Sequence, residues 1–445
     1  MARKKNEDLV KRVACLVKQN QELEKIIKKL EKQNEELLGN DEKRKSLKFN
    51  MATVMFVGID GFSKLVERKD SSVIMDELDE VLHEFDAIVA KRKIKKIKTI
   101  GDGYVCAGGI PIKNITNPVE VVVAAIEMRN FLNEYETSKR GENRIWDLKI
   151  GVHTGPVTAT ISGKKKIHYD IKGDTVNIAG RIETVSDRNA ILISVMTYEL
   201  VKEFFDCEYY GKLSVKYKDD LQMFKVKGLK AEFSVNGLGA VANDTYRIKF
   251  GLVQFTDVQE IILNKLEKEL PDYLYYHNVK HTIDVVTEVE LIGWGEGCSD
   301  DEILLLKTAG LFHDIGHTVS YDDHEFHGAQ LAREMLPSYN YTSEQIDRIC
   351  EIIMATKLPP KPANLLECII CDSDLDYLGR SDFIPVSNAL YEELKAQNKI
   401  GSLNDWNKLQ VKFIAGHQYF TETAKRLREV NKRQQIERIQ GLIEF

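Results

Sequence analysis

At 445 residues the chain is too long for one ordinary hydrophobic core, and two or three domains are expected. Its 43% hydrophobic and 30% charged residues are ordinary for a globular protein, and a formal net charge of −6 gives no reason to expect nucleic acid or a membrane as a partner. No apolar run approaches the ~20 residues of a membrane span, and the basic N-terminus has no signal-peptide core. The seven cysteines include a single C-x-x-C pair, Cys368 and Cys371, with no second pair to complete a zinc site. Reduced thiols and a cytoplasmic location are expected.

Leu9, Leu16, Leu23, Leu30 and Leu37 recur every seven residues. With these at heptad position d, the a positions are Val13, Asn20, Ile27 and Asn34. That pattern predicts a parallel two-stranded coiled coil whose asparagines reject other registers. Residues 1–46 therefore read as a coiled coil with a charged linker, and the chain as a homodimer.

From Met51 the pattern changes. Residues 53–57 read as a buried strand, followed by Gly58-Ile-Asp60-Gly-Phe. A long helix is predicted over 72–91, then a strand, a Gly-Asp turn and a strand over 97–106. A helix near 118–136 follows, and residues 148–158 read as a strand, a turn and a second strand. In 168–181 a strand-like opening leads through Gly173-Asp174 into a helix starting near Thr175. That helix sets Asn177 and Arg181 four residues apart on one face. An amide and a cation fixed side by side suit negative charge on a phosphate. A strand at 191–194 and a helix near Met196 follow, and the region closes on 224–230 and 232–235. Alternating strands and helices predict an α/β layer architecture.

The 168–181 stretch resembles the signature of class III nucleotidyl cyclases, and the resemblance extends over about 48–237. It implies an α/β cyclase-type domain with a ferredoxin-like core over residues 47–240, with active sites built across a dimer interface. Lys98 and Asp170 match the pair that reads adenine, whose N1 accepts and whose amino group donates, so ATP is favoured over GTP. Asn177 and Arg181 match the transition-state pair, and Lys227 or Lys230 would hold phosphate. Two Mg or Mn ions are implied. Asp102 fills one of the two aspartate positions that hold them, but Gly58 stands at the other. Asp60 lies two residues on and points to the same side of an extended strand.

Gly237, Gly239 and Asn243 mark a soft boundary, after which successive helices are predicted. One begins with the capping box Ser299-Asp-Asp-Glu302. On this background stand His277-Asn-Val-Lys-His281, His313-Asp314-Ile-Gly-His317 and Asp372-Ser-Asp374. His277 and His281, four apart on a predicted helix, face the same direction. The three features resemble the HD superfamily of metal-dependent phosphohydrolases, and the first resembles the opening motif of cyclic-nucleotide phosphodiesterases. The resemblance implies an all-α domain over 241–445 in which His281, His313, Asp314 and Asp374 hold one divalent metal, with Asp372 competing for the last place. Such donors suit Mn, Fe, Zn or Mg. His277 would protonate the leaving oxygen. His317, His324 and His327 would complete a second metal site or orient the first, and His417 reads as a structural histidine.

The expectation is a multidomain cyclic-nucleotide signalling enzyme, with an ATP-using cyclase-type domain and an HD phosphodiesterase. Two alternatives stand beside it. In one, a silent cyclase domain binds ATP as a dimer and regulates the HD half. In the other, the HD half is a nucleotidase that does not act on cyclic nucleotides.

Overall fold

The computed structural model describes residues 46–60, 71–100, 103–140, 146–162, 168–214 and 220–443. The leucine heptads and Asp102 lie outside the described residues. The chain divides into two compact units after Ala242.

The first unit runs β1 (Ser46–Asp60), α1 (Ser71–Lys91), β2 (Lys95–Ile100), β3 (Gly103–Gly108), α2 (Asn117–Arg140), β4 (Asp147–Ser162) and β5 (His168–Lys172). It continues with α3 (Asp174–Val185), β6 (Ala190–Ser194), α4 (Val195–Val201), β7 (Phe205–Leu213) and β8 (Leu221–Leu229). The strands form one sheet in the order β2-β3-β1-β4-β6-β8-β7, with β5 paired to β4. Among the described strands, only the β4–β6 pair is parallel. Alternation along β1 puts Ala52, Val54 and Phe56 on one face, where they pack with Val105, Ala107, Ile171 and Ala179. This α/β sheet matches the expected fold class.

The turn expected within 148–158 is not there, because β4 runs unbroken through Gly155-Pro156. Opposite them the β1 register slips between Phe49 and Ala52. Pro156, which has no N–H to give, thus meets a bulge rather than a ladder position.

The regular elements of the second unit are all helices. They are α5 (Asp244–Glu269), α6 (Val279–Gly295), α7 (Asp300–Phe312), α8 (His324–Met335), α9 (Ser343–Met354), α10 (Leu365–Asp374), α11 (Phe383–Ala396), α12 (Leu403–Gly416) and α13 (Glu422–Gln440). The predicted capping box is present, with Ser299 and Glu302 bonding each other's backbone at the start of α7. Leu306, Phe312, Ile349, Ile353 and Ile370 sit in a fully buried core around it. No helix among the described residues is long and apolar enough to cross a membrane.

Candidate metal centre and nucleotide face

Three helix ends meet in the second unit. The Asn278 side chain accepts from the backbone N–H groups of Lys280 (2.8 Å) and His281 (3.2 Å), so α6 begins after it. His277 therefore precedes the helix instead of sharing a face with His281, which corrects the sequence expectation. His313 and Asp314 follow the last turn of α7, and Asp374 ends α10.

These ends bring four side chains together. Asp374 Oδ1 lies 3.1 Å from His281 Nε2 and 3.5 Å from His313 Nε2. Asp314 Oδ2 lies 3.4 and 3.2 Å from the same two nitrogens. His313 Nδ1 donates to the Gly310 carbonyl at 2.8 Å, leaving its Nε2 as a lone pair. The two Nε2 atoms are 3.3 Å apart. Two imidazole Nε2 atoms at that distance repel unless a positive charge, a proton or a metal cation, is shared between them. Two imidazoles and two carboxylates so arranged fit one divalent cation. The electrostatics agree. Burial opposes charge on His313, Asp314 and Asp374, yet the two carboxylates hold the His313 imidazole well above its ordinary pKa and are themselves held below the usual carboxylate range, so without a cation a proton takes its place. Asp372, the competing candidate, is fully buried and turned elsewhere. Its carboxylate accepts from Phe420 N (2.9 Å), Thr421 N (2.8 Å) and Thr421 Oγ1 (2.7 Å).

Asp314 also faces a second cluster. Its Oδ1 lies 3.6 Å from His324 Nε2 and 3.9 Å from His317 Nε2, and the two rings stack at 4.0 Å. His317 is 3% exposed with no hydrogen bond at either ring nitrogen. Burial pushes its pKa down to about 3, which keeps the imidazole neutral and able to accept a cation. His277, Asp314 and His317 offer ligand atoms within 4.8 Å of one another. His327 stands one turn along α8, packed on Phe326.

Sequence reasoning missed Glu393. Fully buried on α11, it accepts from the backbone N–H of Tyr276 (2.9 Å) and His277 (3.1 Å) and from His277 Nδ1. Burial alone would lower the His277 pKa, but Asp314 and Glu393 together raise it. Nothing local signals this pairing, because the partners are 116 residues apart. A cavity of about 370 Å³ opens beside the centre, lined by Tyr275, His281, Asp374, Tyr377, Arg380 and Pro385. Burial pushes the His417 pKa down to about 4; its carbonyl accepts from Lys432 Nζ at 2.8 Å, while its ring Nδ1 is buried with no hydrogen-bond partner.

In the first unit, Gly173, with φ +137°, lets β5 turn into α3. Asn177 and Arg181 are both exposed, and Arg181 Nη2 donates to the Ser214 carbonyl at 2.6 Å. Lys98 on β2 and Asp170 on β5 are also exposed. Their strands approach each other, since the Lys95 ammonium lies 5.1 Å from the Tyr169 ring. Lys227 pairs with Glu208 at 2.5 Å, and Lys230 is half-buried just beyond β8. Asp60 is held by Arg188 Nε at 2.6 Å and Lys149 Nζ at 3.4 Å, so its carboxylate is engaged. Gly58 pairs with Gly103 of β3 and with Lys149 of β4. A β-carbon built on it would overlap Oε1 of Glu183 on α3. A carboxylate oxygen therefore does stand at this position, on a helix rather than on β1, and its chemistry fits a hard divalent cation.

Residues 45–228 match the model of the adenylate and guanylate cyclase catalytic domain, and residues 278–377 match that of the HD domain. Receptor-type guanylate cyclase gcy-8 of Caenorhabditis elegans is 30% identical over 190 residues, 42% of this chain and 16% of that protein. Mouse guanylyl cyclase C is 28% identical over 226 residues, 49% of this chain and 20% of that protein. The chain thus spans a fifth or less of the length of these relatives. Similar solved structures include the catalytic core of a rhodopsin-guanylyl cyclase with converted specificity in complex with ATPalphaS. It is 30% identical and covers 41% of this chain and 97% of its own, with a TM-score of 0.38. The adenylyl cyclase CyaB from P. aeruginosa is 28% identical and covers 44% of this chain and 100% of its own, with a TM-score of 0.39. This polypeptide carries a class III nucleotidyl cyclase catalytic domain and an HD domain.

Proposed function

We propose that the HD domain is a metal-dependent phosphodiesterase acting on a cyclic mononucleotide, joined to a cyclase-type domain that reads ATP. The observation that carries this is the convergence of His281, His313, Asp314 and Asp374 at 3.1–3.5 Å, with His277 held against Glu393 beside them. Divalent cations in such a centre supply Lewis acidity toward a phosphoryl oxygen and activate water. His281, His313 and Asp374 would hold one, His317 and His324 a second, with Asp314 between them. The protein's own contribution to bond cleavage is a proton. His277, kept protonated by Glu393 and Asp314, gives it to the departing ribose oxygen as the phosphoester opens. The adjoining cavity takes the nucleoside, with Tyr275 and Tyr377 available to flank a base.

On the cyclase side, Lys98 on β2 and Asp170 on β5, strands that approach each other at Lys95 and Tyr169, support adenine as the base, and exposed Asn177 and Arg181 support a site completed by a partner chain. Homodimerisation through this domain and the leucine heptads follows from that reading. The test uses the full chain with Mg or Mn. Cyclic AMP, cyclic GMP and the corresponding 5′-monophosphates are supplied in turn, beside an Asp314→Ala control. Conversion of a cyclic nucleotide to its monophosphate by the parent alone supports the proposal. A metal-loaded parent that leaves cyclic nucleotides intact while dephosphorylating the monophosphates would replace it with a nucleotidase.

A further inference from the structure

We propose that Glu183 supplies the carboxylate that β1 lacks at Gly58, so that the cation of a bound nucleoside triphosphate is held from helix α3. The proposal rests on the cyclase reading of the first unit and goes beyond it by assigning a ligand that the family pattern places elsewhere.

The geometry begins with how α3 lies on the sheet. Residues 54, 56, 58 and 60 of β1 share a face. Phe56 meets α3 at Gly180, where an added β-carbon would lie 3.5 Å from the ring. On the neighbouring β4, a β-carbon at Gly151 would lie 2.5 Å from the Ala179 carbonyl oxygen and would strike the Glu183 backbone. Glycine at 151 thus lets the helix backbone close on the sheet. This sets the base of the Glu183 side chain over β4 and sends its carboxyl toward β1.

At Gly58 the missing side chain is replaced from above. A β-carbon built there would overlap Glu183 Oε1 and sit 3.1 Å from Cδ and 3.9 Å from Cγ. The carboxyl end, not the stem, fills the space, at about the distance an aspartate oxygen keeps from its own β-carbon. A hard, oxygen-seeking Mg or Mn ion accepts a glutamate oxygen as readily as an aspartate oxygen in one place.

This arrangement makes a specific statement about repair. Introducing aspartate at 58 alone puts two carboxylates in one space. The charge is restored cleanly only when the Glu183 side chain is cut back at the same time.

The experiment measures the affinity of the full chain for a fluorescent, slowly hydrolysed ATP analogue, once with Mn and once with EDTA, and reads the gain in affinity that Mn brings. Lys98→Ala, which should weaken both affinities, assigns the signal to the cyclase-type domain. The parent is expected to gain about tenfold or more from Mn. Glu183→Gln should keep the EDTA affinity and lose most of that gain, and Gly58→Asp with Glu183→Ala should recover it. If Glu183→Gln fails to fold, Glu183→Asp, shorter by one methylene, should show a reduced gain. A Glu183→Gln protein with an unchanged or larger Mn gain overturns the proposal, the larger gain marking Glu183 as a plug. An unchanged gain in Glu183→Asp overturns it too. A parent that binds no nucleotide under either condition overturns the cyclase reading itself, a result distinct from loss of the Mn gain alone.

Discussion

The two units present their candidate chemistry in opposite ways. In the HD domain the candidate cation-binding groups are buried, mutually paired and all on one chain. His313 is 1% exposed and Asp314 5%. In the cyclase-type domain Lys98, Asp170, Asn177 and Arg181 all face solvent. A buried cluster of imidazoles and carboxylates costs folding free energy until a cation enters, so its assembly is hard to account for except as a binding centre. Exposed polar residues carry no such cost, and their meaning depends on what covers them. The HD centre is therefore a claim about one chain, and the nucleotide face a claim about two.

The largest effect should come from Asp314, which lies between the two clusters. Asp314→Ala is expected to lose bound metal, measured by elemental analysis, and more than about a hundredfold in phosphodiester hydrolysis, since even outer partners of metal ligands cost 10- to 100-fold. A variant that keeps both metal and turnover would show that the buried cluster is not the working centre.

Next come the proton donor and the residue that positions it. His277→Asn should keep the metal of the first cluster while kcat falls by about 10²–10⁴-fold. Glu393→Gln should act more gently, about tenfold, and carry a signature that a purely structural loss lacks. Glu393 raises the His277 pKa, so removing its charge lowers that pKa. Activity that needs His277 protonated should then fall off at lower pH on the alkaline side. An alkaline limb that does not move would separate Glu393 from proton transfer.

How far each region could be read from sequence follows the same divide. The HD elements were legible because the His277–His281, His313-Asp314 and Asp372–Asp374 features stand out as motifs and the capping box at Ser299 marks where α7 begins, whereas the Asn278 cap that takes His277 off the helix was not read. What else escaped were contacts between residues far apart in the chain. Glu393 lies in a Tyr-Glu-Glu-Leu stretch that reads as the polar side of an amphipathic helix, and nothing marks one of its two glutamates as fully buried. Glu183 likewise reads as an ordinary charge on the last turn of α3. Only the sheet, which lays that turn over β4 with β1 beside it, shows that its carboxyl fills the gap at Gly58. The strand break expected near Pro156 failed for a related reason. The residue that absorbs the proline's missing donor is on another strand.

The nucleotide face offers a smaller effect, and one that tests its dependence on base. ATP should raise the melting temperature of the full chain more than GTP, by a few degrees at saturating ligand, because binding to the folded state alone stabilises by mass action. Lys98→Ala should erase the difference between the two nucleotides. A larger shift with GTP would reverse the assignment of Lys98 and Asp170 and align this chain with the relatives named guanylate cyclases.

The smallest expected effect sharpens the claim that burial, and not only metal, sets the chemistry of the HD domain. His417 lies outside the centre, against Tyr419, with its ring centroid 4.6 Å from that ring. Burial pushes its pKa down to about 4, with Lys432 acting in the same direction and Glu429 against it. The unfolded chain binds that proton near pH 6.5, so neutral His417 lends its full stability above that pH and loses it as pH falls toward 4. With a discount for partial exposure, the loss at pH 5 is about 1–2 kcal/mol. His317, also held neutral by burial, adds acid sensitivity of the same sign that stays behind when His417 is changed. The measurement is urea unfolding of parent and His417→Gln at pH 7.5 and 5.0, both with chelator, following the transition of the HD domain. The variant should lose less stability on acidification than the parent by about that 1–2 kcal/mol. Equal losses would mean that the His417 ring is reached by water and takes up its proton without unfolding.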